Sequence, residues 1–222
     1  MPDATPLNRI SLSNQIRDLL LKRIMTGALK PGDRLIEMKI ATEMSTSQAP
    51  VREALRELET MGVIESLRNK GARVRIITNE ELRQLYDVRA QLEAYATGLV
   101  TELKIPLKSR LTESVKLMKK AARAGDSVEF AESNTLFHRI IIEATGNQVL
   151  LELWETLNVK TRTMVNVSRS SRSLIELAES HQAIIDAIRA GNPKKSDAVA
   201  RDHVLKNKPA ADMVDDRQAG AE

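Results

Sequence analysis

The sequence has no cysteine, few aromatic residues and no long apolar run. Without cysteine, a disulfide framework and a thiolate metal site are excluded, and we expect a reducing, cytoplasmic location. Aromatic residues make up only 2% of the chain, so aliphatic side chains must fill its core. No uncharged stretch approaches the length of a membrane span, and residues 1–10 lack the apolar region of a secretion signal. We therefore expect no membrane partner.

Glycine and proline are also scarce, at nine and seven of 222 residues, whereas Ala, Leu, Glu, Lys and Arg are common. This composition favours helix, and we predict a mainly α protein. The pattern along the chain predicts four segments. They are a flexible arm over residues 1–10, a small domain with strands over 11–77, an all-helical domain over 78–208 and a disordered tail over 209–222.

Positive charge is concentrated in the first third of the chain. Residues 1–77 hold 13 Lys and Arg against 9 Asp and Glu, whereas residues 78–222 hold 21 of each sign. The formal net charge of +4 therefore lies entirely in the first segment. Such a distribution is typical of a nucleic-acid-binding module joined to a neutral domain.

The stretch from Ser47 to Leu58 predicts a short helix with two distinct faces. One face is apolar, with side chains at spacing i, i+4, i+7: Val51, Leu55 and Leu58. The other carries long hydrogen-bond donors at spacing i, i+4, i+8: Gln48, Arg52 and Arg56. Ser47 is predicted to cap the helix, its hydroxyl accepting from a first-turn N–H. Because Arg pairs with guanine and Gln with adenine in the major groove, this is a candidate recognition helix; an ordinary amphipathic surface helix is the alternative.

The flanking segments favour the recognition helix. Residues 37–44 predict a second short helix joined to it by a tight turn, which is a helix-turn-helix arrangement. Beyond Gly62, residues 63–67 and 72–77 predict two strands around a basic turn. The segment therefore predicts a winged helix-turn-helix whose basic tip reaches phosphates or a minor groove. In the alternative, the hairpin only closes the small core.

Residues 12–77 resemble the DNA-binding domain of the GntR family of bacterial transcription regulators. The resemblance is carried by four segments: Gly27–Leu35, Pro50–Leu58, Met61–Ile64 and Lys70–Val74. The run PVREAL, which begins at Pro50, is its most diagnostic part. The resemblance implies that Arg52 contacts operator DNA and that Gly71 approaches the minor groove. The candidate DNA-binding residues are Arg34, Ser47, Gln48, Arg52, Arg56, Lys70, Gly71 and Arg73.

Two positions depart from the family pattern. Gln48 stands where the family often has Arg, and Met38 stands where a basic residue sometimes occurs. We hypothesise that Gln48 shifts or relaxes one base preference relative to the GT and AC half-sites common in the family.

The segment 78–208 predicts six helices. Thr78 or Asn79 caps a long helix whose inward seam steps by three and four residues: Leu82, Leu85, Arg89, Leu92, Ala96 and Leu99. One continuous helix is predicted over about residues 148–166, and another is predicted to carry Leu174 through Ile188.

All three histidines of the chain lie in this helical segment. His138 and His181 occupy apolar stripes, His203 follows Val199 by one turn, and Asn134 lies one turn before His138. Side chains from several helices can meet in a bundle core, and imidazole suits Zn²⁺ or Ni²⁺, so these residues are a candidate metal site. Three unrelated core histidines are the alternative.

Residues 79–208 resemble the FCD effector-binding domain of the FadR subfamily within GntR. The resemblance is carried by five segments: Leu85–Glu93, Asn134–His138, Ala144–Asn147, Ser180–Ile184 and Asp202–Val204. It implies a divalent transition metal, Zn with Ni or Mn as other candidates, held by Asn134, His138, His181 and His203. Asn134 occupies a position where the family has Asp, so a weaker site is expected because the negative charge is missing.

The same resemblance implies a small organic acid as effector. Arg89 is its candidate partner, because an Arg within an apolar seam is unfavourable unless it meets an anion. An intrachain pair with Glu93, four residues on, is the alternative. Thr161, Arg162 and Asn166 are further candidate effector contacts.

Together these expectations predict a DNA-binding transcription regulator that responds to a metabolite. The resemblance implies a repressor more often than an activator. It would bind a near-palindromic operator on double-stranded DNA as a homodimer, without catalytic residues. Two alternative functions remain open. A metal-dependent hydrolase would need a general base, for which Glu132 and Glu143 are the nearest acids but are poorly placed. A constitutive DNA-binding protein would use its helical domain only to dimerise.

Overall fold

The computed structural model describes residues 11–67 and 71–210. Contacts divide the chain into two compact units, Met1–Ile76 and Ile77–Glu222. The predicted arm, Lys70 and residues 211–222 of the predicted tail lie outside the described residues. Among the described residues, no helix is both long enough and apolar enough to cross a membrane.

In its described residues, the first unit combines three helices with a small sheet. In chain order its elements are α1 Leu12–Met25, β1 Arg34–Leu35, α2 Glu37–Glu43, α3 Gln48–Thr60, β2 Ile64–Leu67 and β3 Gly71–Val74. The sheet is antiparallel with strand order β1-β3-β2. The predicted hairpin is therefore widened by β1, which pairs Arg34 with Arg73. This is the winged helix-turn-helix that the sequence predicts.

The α3 helix joins the core through the apolar face predicted for it. Val51, Leu55 and Leu58 are buried, with Val51 and Leu58 fully so. Ser47 is the N-cap residue, as predicted, but its side chain makes no capping hydrogen bond. That part of the prediction is wrong, since the Ser47 hydroxyl accepts no hydrogen bond from the first turn of α3.

The second unit is entirely helical in its described residues. Its helices are α4 Asn79–Glu102, α5 Lys108–Ala124, α6 Ser127–Ala144, α7 Gln148–Thr156, α8 Val159–Arg169, α9 Leu174–Glu179, α10 Gln182–Ala190 and α11 Pro193–Lys206. The mainly α fold class is thereby confirmed.

Two predicted helices are each broken in the structure. The helix expected over residues 148–166 is interrupted at Asn158, which adopts the left-handed φ of +49° that asparagine tolerates better than most residues. The helix expected from Leu174 to Ile188 is interrupted at Ser180 and His181, between α9 and α10. Neither break has a Gly or Pro to signal it.

The long α4 helix presents a different stripe to the core from the predicted seam. Leu82, Arg89 and Ala96 are buried as expected, whereas Leu85, Leu92 and Leu99 are only partly covered. Their place is taken by neighbouring positions that are buried instead: Tyr86, Ala90, Glu93, Thr97 and Val100. The period is correct, but α4 is rotated so that two charged residues, Arg89 and Glu93, face inward.

Candidate nucleic-acid interface and metal centre

The polar face of α3 is presented to solvent. Gln48, Arg52 and Arg56 are all exposed, on the side opposite the buried Val51 and Leu58. Exposed Arg and Gln on a short helix can reach base edges and phosphates without rearrangement of the core.

Arg52 is oriented by Glu37 of α2. The Arg52 Nη2 atom donates to Glu37 Oε2 at 2.9 Å, and Nε lies 3.1 Å from the same oxygen. The Arg52 side chain remains 52% exposed, so this surface pair adds little to stability. The ion pair instead links the candidate recognition helix α3 to the preceding helix α2. It also limits the rotamers of the Arg52 side chain and so orients its guanidinium.

The sheet places other candidate residues beside α3. Arg52, Arg56 and Gly71 border one cleft of about 220 Å³. Arg34 is exposed on β1, and Arg73 on β3 donates to Glu65 Oε1 at 2.6 Å. Lys70 lies outside the described residues.

Gly71 is required by the geometry of the wing. Its φ is +80°, and a Cβ added there would lie 2.9 Å from the backbone oxygen of Leu35. A side chain would therefore meet the neighbouring strand β1, and the left-handed backbone would be strained as well.

We expect Gly71→Ala to destabilise the first unit by about 2–4 kcal/mol, because the backbone strain and the clash with Leu35 add together. Gly27→Ala is the matched control, since Gly27 has a similar φ of +76° with nothing within 4 Å of the added Cβ. That variant should cost only about 1 kcal/mol. Urea unfolding followed by circular dichroism measures both. Equal losses of unfolding free energy in the two variants would show that the structure relieves the contact with Leu35 without cost.

In the second unit, the three histidines meet at one buried point. His138 lies on α6, His181 between α9 and α10, and His203 on α11. Each offers a ring nitrogen, and these atoms all lie within 4.8 Å of one another. Asn134, one turn before His138, places its Oδ1 atom 3.0 Å from His181 Nε2. The structure thus brings together all four predicted metal-site residues.

The Nδ1 atom of each histidine is directed to a partner outside the cluster. His138 Nδ1 lies 2.7 Å from Glu93 Oε2, His181 Nδ1 lies 2.9 Å from the Leu177 carbonyl, and His203 Nδ1 lies 3.4 Å from Ser180 Oγ. Such outer partners fix the ring orientation and the tautomer of metal-binding histidines. They leave the three Nε2 atoms as the available ligands.

Two observations test whether this donor set fits a metal ion. His138 Nε2 and Asn134 Nδ2 are buried without a hydrogen-bond partner among the described residues, a state that is unfavourable unless a further group binds there. Burial lowers the pKa of His138 despite the nearby Glu93, and burial lowers the pKa values of His181 and His203 still further. The rings are therefore neutral at neutral pH, which is the form that binds a metal. Three imidazoles and one amide oxygen fit a divalent transition ion.

Glu93 connects the histidine cluster to Arg89 and to the only tryptophan. Its carboxylate accepts from Arg89 Nε at 2.5 Å and from Trp154 Nε1 at 2.9 Å, in addition to its contact with His138. Burial works against ionisation, but Arg89 and His138 hold the pKa of Glu93 well below its usual range. The Arg89–Glu93 pair considered from the sequence is therefore present, and both side chains are at most 4% exposed.

A cavity of about 440 Å³ opens beside the cluster. We define its floor as the buried lining residues Arg89, Asn134, His181 and His203. Asn166 also lines the cavity and donates to Tyr86 Oη at 2.9 Å. The volume lies within the range of small-molecule sites, about 300–1,000 Å³.

The other two predicted effector contacts lie elsewhere. Thr161 and Arg162 are buried but are not among the described residues that line the cavity, and Arg162 pairs with Glu81 at 2.7 Å. Thr163 of the same helix lines the cavity instead.

Comparison with known protein families finds one matching family in each of the two units. The family described as bacterial regulatory proteins, gntR family, matches residues 12–74, and the FCD domain family matches residues 84–206. The chain belongs to the GntR family. Its resemblance to FCD-containing GntR regulators, first seen in the sequence, is thereby confirmed.

Two curated relatives of this GntR-family chain are named as repressors. A probable D-xylose utilization operon transcriptional repressor of Paenarthrobacter nicotinovorans is 36% identical over 210 residues, covering 94% of this chain and 93% of that protein. The gluconate operon transcriptional repressor of Bacillus subtilis is 30% identical over 190 residues, covering 82% and 78%.

A solved structure agrees with the fold. The Escherichia coli protein McbR/YncC superposes with a TM-score of 0.66 at 25% identity, covering 90% of this chain and 96% of that one. The protein is accordingly a DNA-binding transcription regulator of the GntR family.

Several residues of this GntR-family site were missed by sequence reasoning. Glu37 orients Arg52 from 15 residues away, a separation that carries no periodic signal. The spacing of four residues indicates Glu93 only as a partner of Arg89, not of His138 and Trp154. Arg169 and Arg172 line the cavity, but they belong to a polar Ser/Arg segment that gives no indication of what it faces.

Proposed function

We propose that this protein is a homodimeric, cytoplasmic repressor that binds a near-palindromic operator and releases it when a small organic acid binds at a metal site. The observation that carries the proposal is the histidine cluster. Three neutral imidazoles converge, their Nδ1 atoms are held by outer partners, and Arg89 lines the adjoining cavity. A Zn ion, with Ni or Mn as other candidates, would be held by Asn134, His138, His181 and His203.

The metal would supply a positive centre for a carboxylate of the effector. Arg89 would supply a second positive group, although its charge is shared with Glu93. An incoming carboxylate would compete with Glu93 for Arg89, and Glu93 also contacts His138 and Trp154. Effector binding would thereby be coupled to the packing of α4, α6 and α7 in the helical unit. A coupling of about 1–3 kcal/mol is typical of such regulators.

The repressor mode is supported by the relatives named as operon repressors in Paenarthrobacter nicotinovorans and Bacillus subtilis. Since those proteins are named for D-xylose and gluconate operons, we propose an operon for the use of a carbon source as the target. Two copies of the winged unit would contact the two half-sites of the operator.

A metal-dependent hydrolase is not supported by the acids near the cluster, since Glu93 is already bound by Arg89, Trp154 and His138. The acids considered for a general base are both engaged on the protein surface, Glu132 with Lys160 and Glu143 with Arg139. A hydrolase needs such a base beside the metal-bound water. We therefore propose a regulator without catalytic activity.

Binding to its own promoter region tests the proposed function. Fluorescence anisotropy should show tight binding to the matching double-stranded DNA and release of that DNA when Zn²⁺ and an acid from a panel of mono- and dicarboxylates are added together. A protein that holds the DNA with every acid, and contains no metal, would be a constitutive DNA-binding protein with a helical unit used for dimerisation only.

We expect Arg52→Gln to weaken operator binding by about 1–3 kcal/mol, because a bidentate contact of Arg with guanine contributes that much. Anisotropy titrations at fixed salt measure the change. Gln48→Arg is the comparison variant: it keeps the exposed polar face of α3, so it should retain affinity but select a different base at one position of each half-site. Identical selected sequences for the wild type and the Gln48→Arg variant would refute the role of Gln48, and unchanged affinity in Arg52→Gln would refute that of Arg52.

A further inference from the structure

The cavity beside the histidine cluster has a strongly cationic entrance. We define its mouth as four cationic lining residues contributed by the end of α8, the α8–α9 turn and the end of α11: Arg169, Arg172, Lys206 and Lys208. Among the described residues that line the cavity, none is Asp or Glu. The cavity lining therefore supplies no carboxylate to offset the charge of the mouth.

The two lysines of the mouth already have carboxylate partners. Lys206 Nζ lies 2.6 Å from Asp202 Oδ2, and Lys208 Nζ lies 2.6 Å from Asp87 Oδ1. Each is an ordinary surface ion pair that offsets the lysine charge. Neither lysine therefore calls for a further ligand.

The two arginines differ from the lysines, because the groups they bind are neutral. Arg169 donates to Asn79 Oδ1 and to the Ile77 carbonyl, each at 2.9 Å. Arg172 donates to Asn207 Oδ1 at 2.8 Å. These contacts hold the guanidinium groups in place at the mouth but leave their charge without a carboxylate within 4 Å among the described residues. Glu176 accepts from the Ser173 backbone N–H at 3.0 Å and interacts with Arg172 only electrostatically, without an ion pair.

Anion-binding groups therefore stand at both ends of one cavity. The floor holds His181 and His203 of the histidine cluster together with Arg89, which is already paired with Glu93. The mouth holds two oriented arginines, whose planar donors suit carboxylate and phosphate oxygens. The rest of the lining is uncharged and mixed, with polar Tyr86, Thr163 and Asn166 beside apolar side chains such as Phe130 and Leu177.

We propose that the effector carries two anionic groups, one held at the floor and the second, a carboxylate or a phosphate, held at the mouth by Arg169 and Arg172. This proposal rests on the proposed function, since it assumes that an acid binds at the floor. It adds that the mouth selects against acids with a single anionic group. Specificity arises because a monoacid leaves the two guanidinium groups unmatched.

The test compares matched acids that differ only in the second anionic group. Butanoate is compared with butanedioate, pentanoate with pentanedioate, and gluconate with 6-phosphogluconate. Binding to the Zn²⁺-loaded full-length protein is measured by calorimetry and by the fluorescence of Trp154, the only tryptophan in the chain. In at least one pair the doubly anionic acid should bind about tenfold more tightly or better, as one charge-assisted hydrogen bond allows. The first two pairs identify a carboxylate subsite and the third a phosphate subsite.

Substitutions at the mouth test whether its two arginines cause the preference for the doubly anionic acid. Arg172→Gln and Arg169→Gln should reduce the preference for the doubly anionic acid to about twofold or less while leaving the affinity for the monoacid unchanged. Arg110→Gln, which removes an exposed arginine outside the cavity lining, should keep the full preference. Thermal unfolding checks that each variant folds.

Three results overturn the proposal. Equal binding of mono- and doubly anionic acids in every pair removes the second subsite but leaves the proposed function standing. A preference that survives both Arg169→Gln and Arg172→Gln also removes it, because the second group must then bind elsewhere. Failure of all six acids to bind or to release promoter DNA overturns the inference together with the effector part of the proposed function.

Discussion

Replacing Glu93 with alanine should lower the free energy of unfolding of the helical unit by about 3–5 kcal/mol, the usual result of removing one partner of a buried ion pair. Glu93 is 3% exposed, and Arg89, 2.5 Å away, is 4% exposed. Without the carboxylate, the guanidinium would stay buried beside neutral Thr163 and Tyr86. Trp154 Nε1 and His138 Nδ1 would lose the same acceptor.

Urea unfolding in the presence of a chelator measures this change without a contribution from bound metal. Glu113→Gln is the matched control, because Glu113 pairs with Lys116 at 3.1 Å while 63% exposed, and it should change stability by no more than about 0.5 kcal/mol. The double variant Arg89→Met/Glu93→Ala should be more stable than Glu93→Ala alone, since no unpaired charge remains buried. A loss below about 1 kcal/mol in Glu93→Ala would contradict the buried pair.

The second large effect is expected on metal binding. His181→Ala should weaken Zn²⁺ binding by more than about 100-fold, because loss of an outer-shell partner alone costs about 10–100-fold and His181 is a proposed direct ligand. His181 lies at the centre of the cluster, with its ring centroid 4.3 Å from that of His203 and its Nε2 atom 3.0 Å from Asn134 Oδ1. Competition with a chromophoric chelator measures the affinity.

Two further variants sharpen the result. Ser180→Ala removes only the 3.4 Å contact to His203 Nδ1, so its effect should not exceed about tenfold. Asn134→Asp should bind Zn²⁺ more tightly than the wild type, because it adds a negative charge at the same position. Unchanged Zn²⁺ affinity in His181→Ala would show that the three histidines are core residues rather than ligands. Weaker binding in Asn134→Asp would place the amide outside the coordination sphere.

The helix-turn-helix unit was predictable because its signals are local. The apolar spacing of Val51, Leu55 and Leu58 predicts the buried face of α3, and the same spacing leaves Gln48, Arg52 and Arg56 exposed. The contribution of β1 to the sheet was not predictable, since its two residues contain no periodic signal. The salt bridge between Arg52 and Glu37 likewise depends on how α2 and α3 meet.

The sequence predicts that the second unit is helical, but it predicts the rotation and the ends of its helices less well. The spacing of three and four residues along α4 indicates an amphipathic helix, yet it does not fix the rotation of that helix to better than one position. Packing resolves this by burying Tyr86 and Glu93 in place of Leu85 and Leu92. The breaks at Asn158 and His181 were also not predictable, because neither segment contains a residue that forbids helix.

The sequence by itself determined the family, the division of charge and the identity of the histidines as a candidate metal set, because contiguous motifs and helical period depend on neighbours along the chain. Only the tertiary structure decided that Glu93 joins His138, Arg89 and Trp154, and that Arg169 and Arg172 stand at the entrance to the cavity. The contacts of Glu93 alone join residues separated by up to 61 positions, as for Trp154 and Glu93. Such partners are selected by the packing of whole helices, which no local pattern records.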